Sequence, residues 1–134
     1  MKLLNIREHK QVKKIVLKNV KALCQRFDLD YDEYDIYAEL VNGNAALFMN
    51  KDGFLVLRDD VDCYTKEKVL FVWVAYAFVR GKQFLKEPKY QEWLAQKAKA
   101  IGATKIRFET TRKGYEKQLG ENWRCTSLIY EKVL

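Results

Sequence analysis

Histidine and proline occur once each in this chain, as His9 and Pro88, and cysteine three times, as Cys24, Cys63 and Cys125. Three thiols, widely spaced and without a C-x-x-C, support neither a disulfide framework nor a zinc site. We expect reduced thiols, at least two of them buried. No metal site is expected elsewhere: Asp28, Asp30, Asp32 and Glu39 copy calcium-loop positions, but Glu33 stands where the sharp turn needs glycine. The segment reads instead as an acidic connection between helices. Asp59, Asp60 and Asp62 lack a partnering His or Glu and read as the end of a strand. Long apolar runs are also missing. Val69–Val79, the longest, is about half of a bilayer span, and Met1-Lys2-Leu3-Leu4 meets charge too soon for a signal peptide. The expectation is a cytoplasmic protein with no membrane partner. Repeats, linkers and low-complexity segments are absent too, so residues 1–134 are expected to form a single domain.

What is present is an ordinary globular composition, 49% hydrophobic, with Lys and Arg outnumbering Asp and Glu by 25 to 18 for a net charge of +7. A basic protein attracts nucleic acid, acidic proteins and polyanionic cofactors alike. From His9 to Phe27 the apolar residues Val12, Ile15, Val16, Val20, Leu23 and Cys24 follow a helical period. The opposite side carries Lys10, Lys13, Lys14, Lys18 and Lys21, which is either a solvated face or a phosphate-binding one. His9 reads as a helix-start residue. A short strand is expected at Leu3–Ile6 and a second helix near Tyr34–Val41, with Tyr31, Tyr34 and Tyr37 packing. Asn50-Lys51-Asp52-Gly53 joins Ala45–Met49 to Phe54–Leu57 as a hairpin.

The second half is more telling. Lys68–Phe78 is apolar without alternation, so it must be covered on both faces and lie at a sheet centre. A basic loop follows, 79–87, then a helix from Pro88 to Ile101 with Gly102 as its stop, on which Trp93, Leu94, Ala98 and Ile101 should face the sheet. Lys105–Thr110 alternates as a half-buried strand, a short helix is expected around Tyr115, and Trp123–Val133 reads as a terminal strand. Loops and helix N-termini beyond strand ends are common phosphate sites.

This order of elements resembles the GNAT acetyltransferase superfamily. The resemblance implies an α+β or α/β fold with a mixed, mostly antiparallel central sheet and flanking helices. Arg80-Gly81-Lys82-Gln83-Phe84-Leu85 is similar to the superfamily's R-x-x-G-x-G/A, with Gln83 and Leu85 where small residues belong. Tyr115-Glu116-Lys117-Gln118-Leu119-Gly120 is similar to its Y-x-K-x-G-F close, with one residue inserted. The resemblance implies an acyl-CoA-dependent N-acyltransferase with a degenerate cofactor loop, acetyl-CoA as cofactor and an amine as acceptor. Val74, Tyr76 and Phe78 would offer backbone to the thioester, and Arg80, Gly81, Lys82 and Gln83 would hold the pyrophosphate. Tyr115 would be the general acid, and Glu109 the candidate base. Ala103–Trp123 also resembles small GNAT-like proteins of tailed bacteriophages. That implies an alternative: a non-catalytic, virion-associated or nucleic-acid- or protein-binding role, in host cytoplasm or virion, as part of an oligomer or assembly.

Overall fold

The computed structural model describes residues 1–81, 83–110 and 119–134. Strand β1 (Lys2–Leu4) leads into helix α1 (Lys10–Phe27), with His9 at the N-cap position. Val16, Val20 and Cys24 recur every four residues along α1 and form its buried face. Asp28 closes the helix in the left-handed region (φ 49°), its N–H donating to the Cys24 carbonyl. Asp32 then caps helix α2 (Glu33–Val41), accepting from the Tyr34 and Asp35 amides at 2.9 and 3.0 Å, while Asp35 accepts from the Asp32 amide at 2.9 Å. This reciprocal box explains the acidic connection: its carboxylates satisfy orphan helix amides.

Strands β2 (Ala46–Asn50), β3 (Gly53–Val61), β4 (Lys68–Ala77) and β5 (Lys105–Phe108) complete a sheet in the order β1-β2-β3-β4-β5. Neighbours are antiparallel except β4 and β5, which run parallel. The mixed, mostly antiparallel sheet with flanking helices expected from the sequence is therefore observed. Helix α3 (Pro88–Ala100) makes the β4-to-β5 crossover; Gly102 follows it at φ +77°, and the Ala103 amide donates to the Ala98 carbonyl at 2.8 Å. A left-handed residue of this kind is what lets the chain turn off a helix end.

Two buried clusters lie on opposite faces of the sheet. Phe54 and Val56 pack with Val16, Val20 and Ile36 of α1 and α2, whereas Leu55 and Leu57 pack with Leu94 and Ala98 of α3. Along β4 the pattern breaks. Leu70 and Val72 belong to the α3 side, but Val74 belongs to the α1–α2 side. The cause is a β-bulge: Val56 pairs with Val74 and Leu57 with Val72, which leaves Trp73 as the extra residue. The bulge exchanges the faces of everything beyond it.

At the hairpin tip, Asn50 Oδ1 accepts from the Asp52 and Gly53 amides at 2.9 and 3.2 Å. A Cβ on Gly53 would overlap the Tyr76 carbonyl oxygen and lie 2.6 Å from the Phe84 ring. Glycine is needed there for close approach as much as for the turn.

Several expectations need correcting. Residues 123–133 form no strand and leave Leu128, Ile129, Tyr130 and Val133 exposed. Leu128, Ile129 and Tyr130 are consecutive, so neither face of a strand there would be cleanly apolar, and the four-residue β5 offers a short edge. Only Cys24 is a buried thiol; Cys63 lies in the exposed β3–β4 turn and Cys125 in the exposed tail. Tyr34 is exposed because its position on α2 faces away from the sheet, while Tyr31 and Tyr37 are half-buried. Ile101 is exposed, since it lies past the last turn of α3. β3 continues through Asp59 and Asp60 to Val61, because β4 pairs with it along that whole length. The helix expected around Tyr115 lies mostly outside the described residues.

Candidate active site

The feature that makes a cleft is the unequal length of two pairings. β4 pairs with β3 as far as Gly53↔Ala77, but with β5 only from Val69↔Lys105 to Val72↔Phe108. From the Trp73 bulge to Ala77, the β5-side edge of β4 has no strand partner among the described residues. Backbone N–H and C=O groups along such an edge require other partners. The closed end is clamped: Lys105 Nζ lies 2.7 Å from Glu67 Oε2, and Arg107 Nη2 donates to Asp62 Oδ2 at 3.0 Å. The strands stay together where the ion pairs hold them and part where β5 ends.

The open cleft beyond is lined by the free edge of β4, the loop after it, the last turn of α1 and Glu109 at the end of β5. Val74 is buried towards α1 and α2; Tyr76 stacks on Phe54 at 5.4 Å, and Phe78 is 41% exposed at the mouth. Arg80 and Gly81 are exposed, and Gln83 is half-buried. The structure thus brings Tyr76, Phe78, Arg80, Gly81 and Gln83 along one wall and Glu109 to the end of the neighbouring strand, whereas the Val74 side chain lies in the core beneath. Lys82 and Tyr115 lie outside the described residues.

Three contributors were not singled out as functional from the sequence. Tyr31 meets Trp73 edge to face at 5.5 Å, beside the bulge. Burial, then the neighbouring Cys24 and Glu109, push its phenol up to about 12. It therefore stays protonated where Glu109's charge is felt. The other two are Asp52 and Tyr90. Tyr90 Oη donates to Asp52 Oδ2 at 2.8 Å and accepts from Asn50 Nδ2 at 2.8 Å, while the Asp52 carbonyl accepts from the Phe78 amide at 2.9 Å. The hairpin tip thereby ties together the end of β4 and the first turn of α3, the two elements that flank the loop. A separation of 38 residues gave no local signal for this pair. For Tyr31, only its nearness to the acidic connection could have hinted at a role.

The loop is built differently from a glycine-rich one. A single 3₁₀ turn, Phe84–Lys86, turns Phe84 and Leu85 into the core, where Phe84 meets Tyr90 at 4.7 Å. The amides of Lys86 and Glu87 donate within this turn, to the Gln83 and Phe84 carbonyls. Phe84 and Leu85 thus lie beneath the loop, while Val79, Arg80 and Gly81 are exposed and Lys86 is half-buried. Gln83 Oε1 is buried without a hydrogen-bond partner among the described residues. A buried orphan acceptor calls for a donor, and the amide N–H groups of a pantetheine arm are donors. The loop thus offers side-chain cations rather than a glycine-rich cradle of amides to a phosphate-bearing ligand.

No family model matches the sequence, and no curated protein sequence matches it. Solved structures do. A protein from Pyrococcus furiosus assigned as an acetyl transferase superposes with a TM-score of 0.68 at 13% identity, over 99% of this chain and 99% of that one. A ribosomal-protein-alanine N-acetyltransferase from Brucella melitensis biovar Abortus 2308 gives 0.59 at 20% identity, over 97% and 96%. An integron cassette protein from the mobile metagenome of V. cholerae gives 0.61 at 10% identity, over 97% and 89%. At such identities the likeness is one of architecture. The chain has a mixed α+β, GNAT-like fold.

Proposed function

We propose that this protein is an acyl-CoA-dependent N-acyltransferase, and that the cleft between β4 and β5 is its active site. The observation that carries this reading is the parting of β4 from β5 after Val72, directly below a basic loop and the start of α3. The free edge of β4 around Val74, Tyr76 and Phe78 orients an extended ligand by backbone hydrogen bonds, as an added strand would. Arg80, Gly81 and Lys82 hold the phosphate end, and Gln83 accepts from the arm. Bound there, acyl-CoA would supply an acyl group already activated as a thioester.

The chain's own residues handle the protons. Glu109, exposed at the end of β5, takes a proton from the incoming ammonium, directly or through water, so that the free amine can attack. Tyr115 gives a proton to the departing sulfur. Tyr31, held protonated beside Trp73, lines the same cleft as Glu109 and serves as a hydrogen-bond donor. The acceptor is an amine that reaches the cleft from the Glu109 side.

Titration calorimetry with acetyl-CoA at moderate salt tests this reading, with inorganic phosphate as a control for simple anion binding. A stoichiometric site of micromolar affinity is expected, weakened about tenfold by Arg80→Ala (~1.4 kcal/mol) and unchanged by Lys2→Ala. Absence of binding at millimolar acetyl-CoA would sink the proposal and leave a GNAT fold used for something other than acyl transfer.

A further inference from the structure

Helix α1 carries five lysines and one arginine and no acidic residue. Lys10, Lys14, Lys18 and Lys21 are exposed, and none of them forms an ion pair with a carboxylate among the described residues. Like charges three and four residues apart repel and weaken a helix. This one keeps four in a row, whereas α2 beside it is acidic in its first turn. Lys13, between them, is half-buried, its ammonium 4.6 Å over the Tyr37 ring.

The opposite face fixes the row in place. Val16, Val20 and Cys24 are buried against the sheet, so α1 cannot turn that apolar face to a bilayer, as an interfacial helix must. The exposed row holds no aromatic ring on which a base could stack. What remains is a row of four lysines on one helix face, about 4.5–6 Å apart along the axis over a helix length of about 16 Å. That interval suits the phosphates along one strand of a nucleic acid.

We propose that the Lys10–Lys14–Lys18–Lys21 face of α1 is a docking surface for the sugar-phosphate backbone of duplex nucleic acid, bound without regard to base sequence. It contacts phosphates only, since lysine row and backbone match in charge and spacing while nothing on the face can read a base edge. The surface is independent of any chemistry in the cleft.

Fluorescence anisotropy with a labelled 20-base-pair duplex, at 50 to 200 mM salt, provides the test. Four phosphate contacts predict a slope of log K against log salt near −3.6, a loss of roughly 100-fold across that range. Lys14→Glu/Lys18→Glu should cut affinity at 50 mM at least tenfold and reduce the slope by about 2, with the folded state checked by circular dichroism. The charge-matched variant Lys2→Glu/Lys66→Glu should lose less than threefold. Equal losses from both variants would show that net charge alone is responsible and overturn the proposal. Tighter binding of a labelled polyglutamate peptide than of the duplex would overturn it as well, in favour of an acidic protein partner.

Discussion

Asp62 shows how one side chain can hold a junction. Its Oδ1 accepts from the Tyr64 and Thr65 amides at 2.9 and 3.0 Å, and its Oδ2 accepts from Arg107. The Thr65 amide, the Arg107 guanidinium and the Tyr64 amide, in that order, hold the carboxyl well below the usual carboxylate range. Its folded-state pKa is depressed, so its stabilising effect is present above the unfolded aspartate value of about 3.9 and fades as pH falls below it. Glu67, lowered chiefly by its bond to Lys105, follows the same sign. Both residues fasten the β3–β4 turn to β5. Asp62→Asn should therefore lower the melting temperature clearly at pH 7 and by a smaller margin at pH 2, since the gap closes only as pH falls through the depressed folded-state value. A gap of the same size at both values would show that the carboxylate's charge is not what matters.

Between elements, the consequential contact is the one from the hairpin tip to α3. Asp52 is the one charged side chain buried among the described residues, and Tyr90 is its phenolic donor. Hydrogen bonds to charged acceptors contribute about 1.5–3 kcal/mol. Tyr90→Phe should cost about 2 kcal/mol in urea unfolding, with the loop loosened enough to weaken acetyl-CoA binding beyond what stability alone explains. Stability lost with binding unchanged would make the pair a plain core contact. This tie also marks the limit of what the sequence reveals. Helix α1 was legible from its four-residue period, and α3 from Pro88 and Gly102, because such signals are local. The hairpin was legible from Asp52-Gly53, although the crowding that requires Gly53 was not. The Trp73 bulge was invisible, since Val69–Val79 is apolar throughout and carries no alternation for a bulge to interrupt. Arg80 and Gly81 were singled out through a motif, but that Phe84 and Leu85 turn inward depends on Gly53 leaving room for a ring. Asp52 and Tyr90 meet only once the sheet has formed.

Across the whole molecule, order falls away from β3 and β4 towards the C-terminal segment. Both central strands are covered on two faces, while residues 124–134 are exposed throughout and Trp123 packs at 5.7 Å from Phe108. Alternating apolar residues had suggested a strand, yet pattern alone cannot supply a partner edge, and β5 is only Lys105–Phe108. A segment with few buried contacts contributes little to global stability and opens at low free energy. Removing residues 124–134 should thus change unfolding free energy by less than about 1 kcal/mol. Amides of that segment should exchange with solvent orders of magnitude faster than those of Leu55 and Val56. The segment nevertheless borders the cleft that β4 and β5 open. Its removal should therefore act on access, speeding acetyl-CoA association and dissociation together with little change in affinity. A loss of several kcal/mol on truncation, or slow exchange there in the intact chain, would instead show the segment paired as a sixth strand and the cleft narrower than its free edge implies.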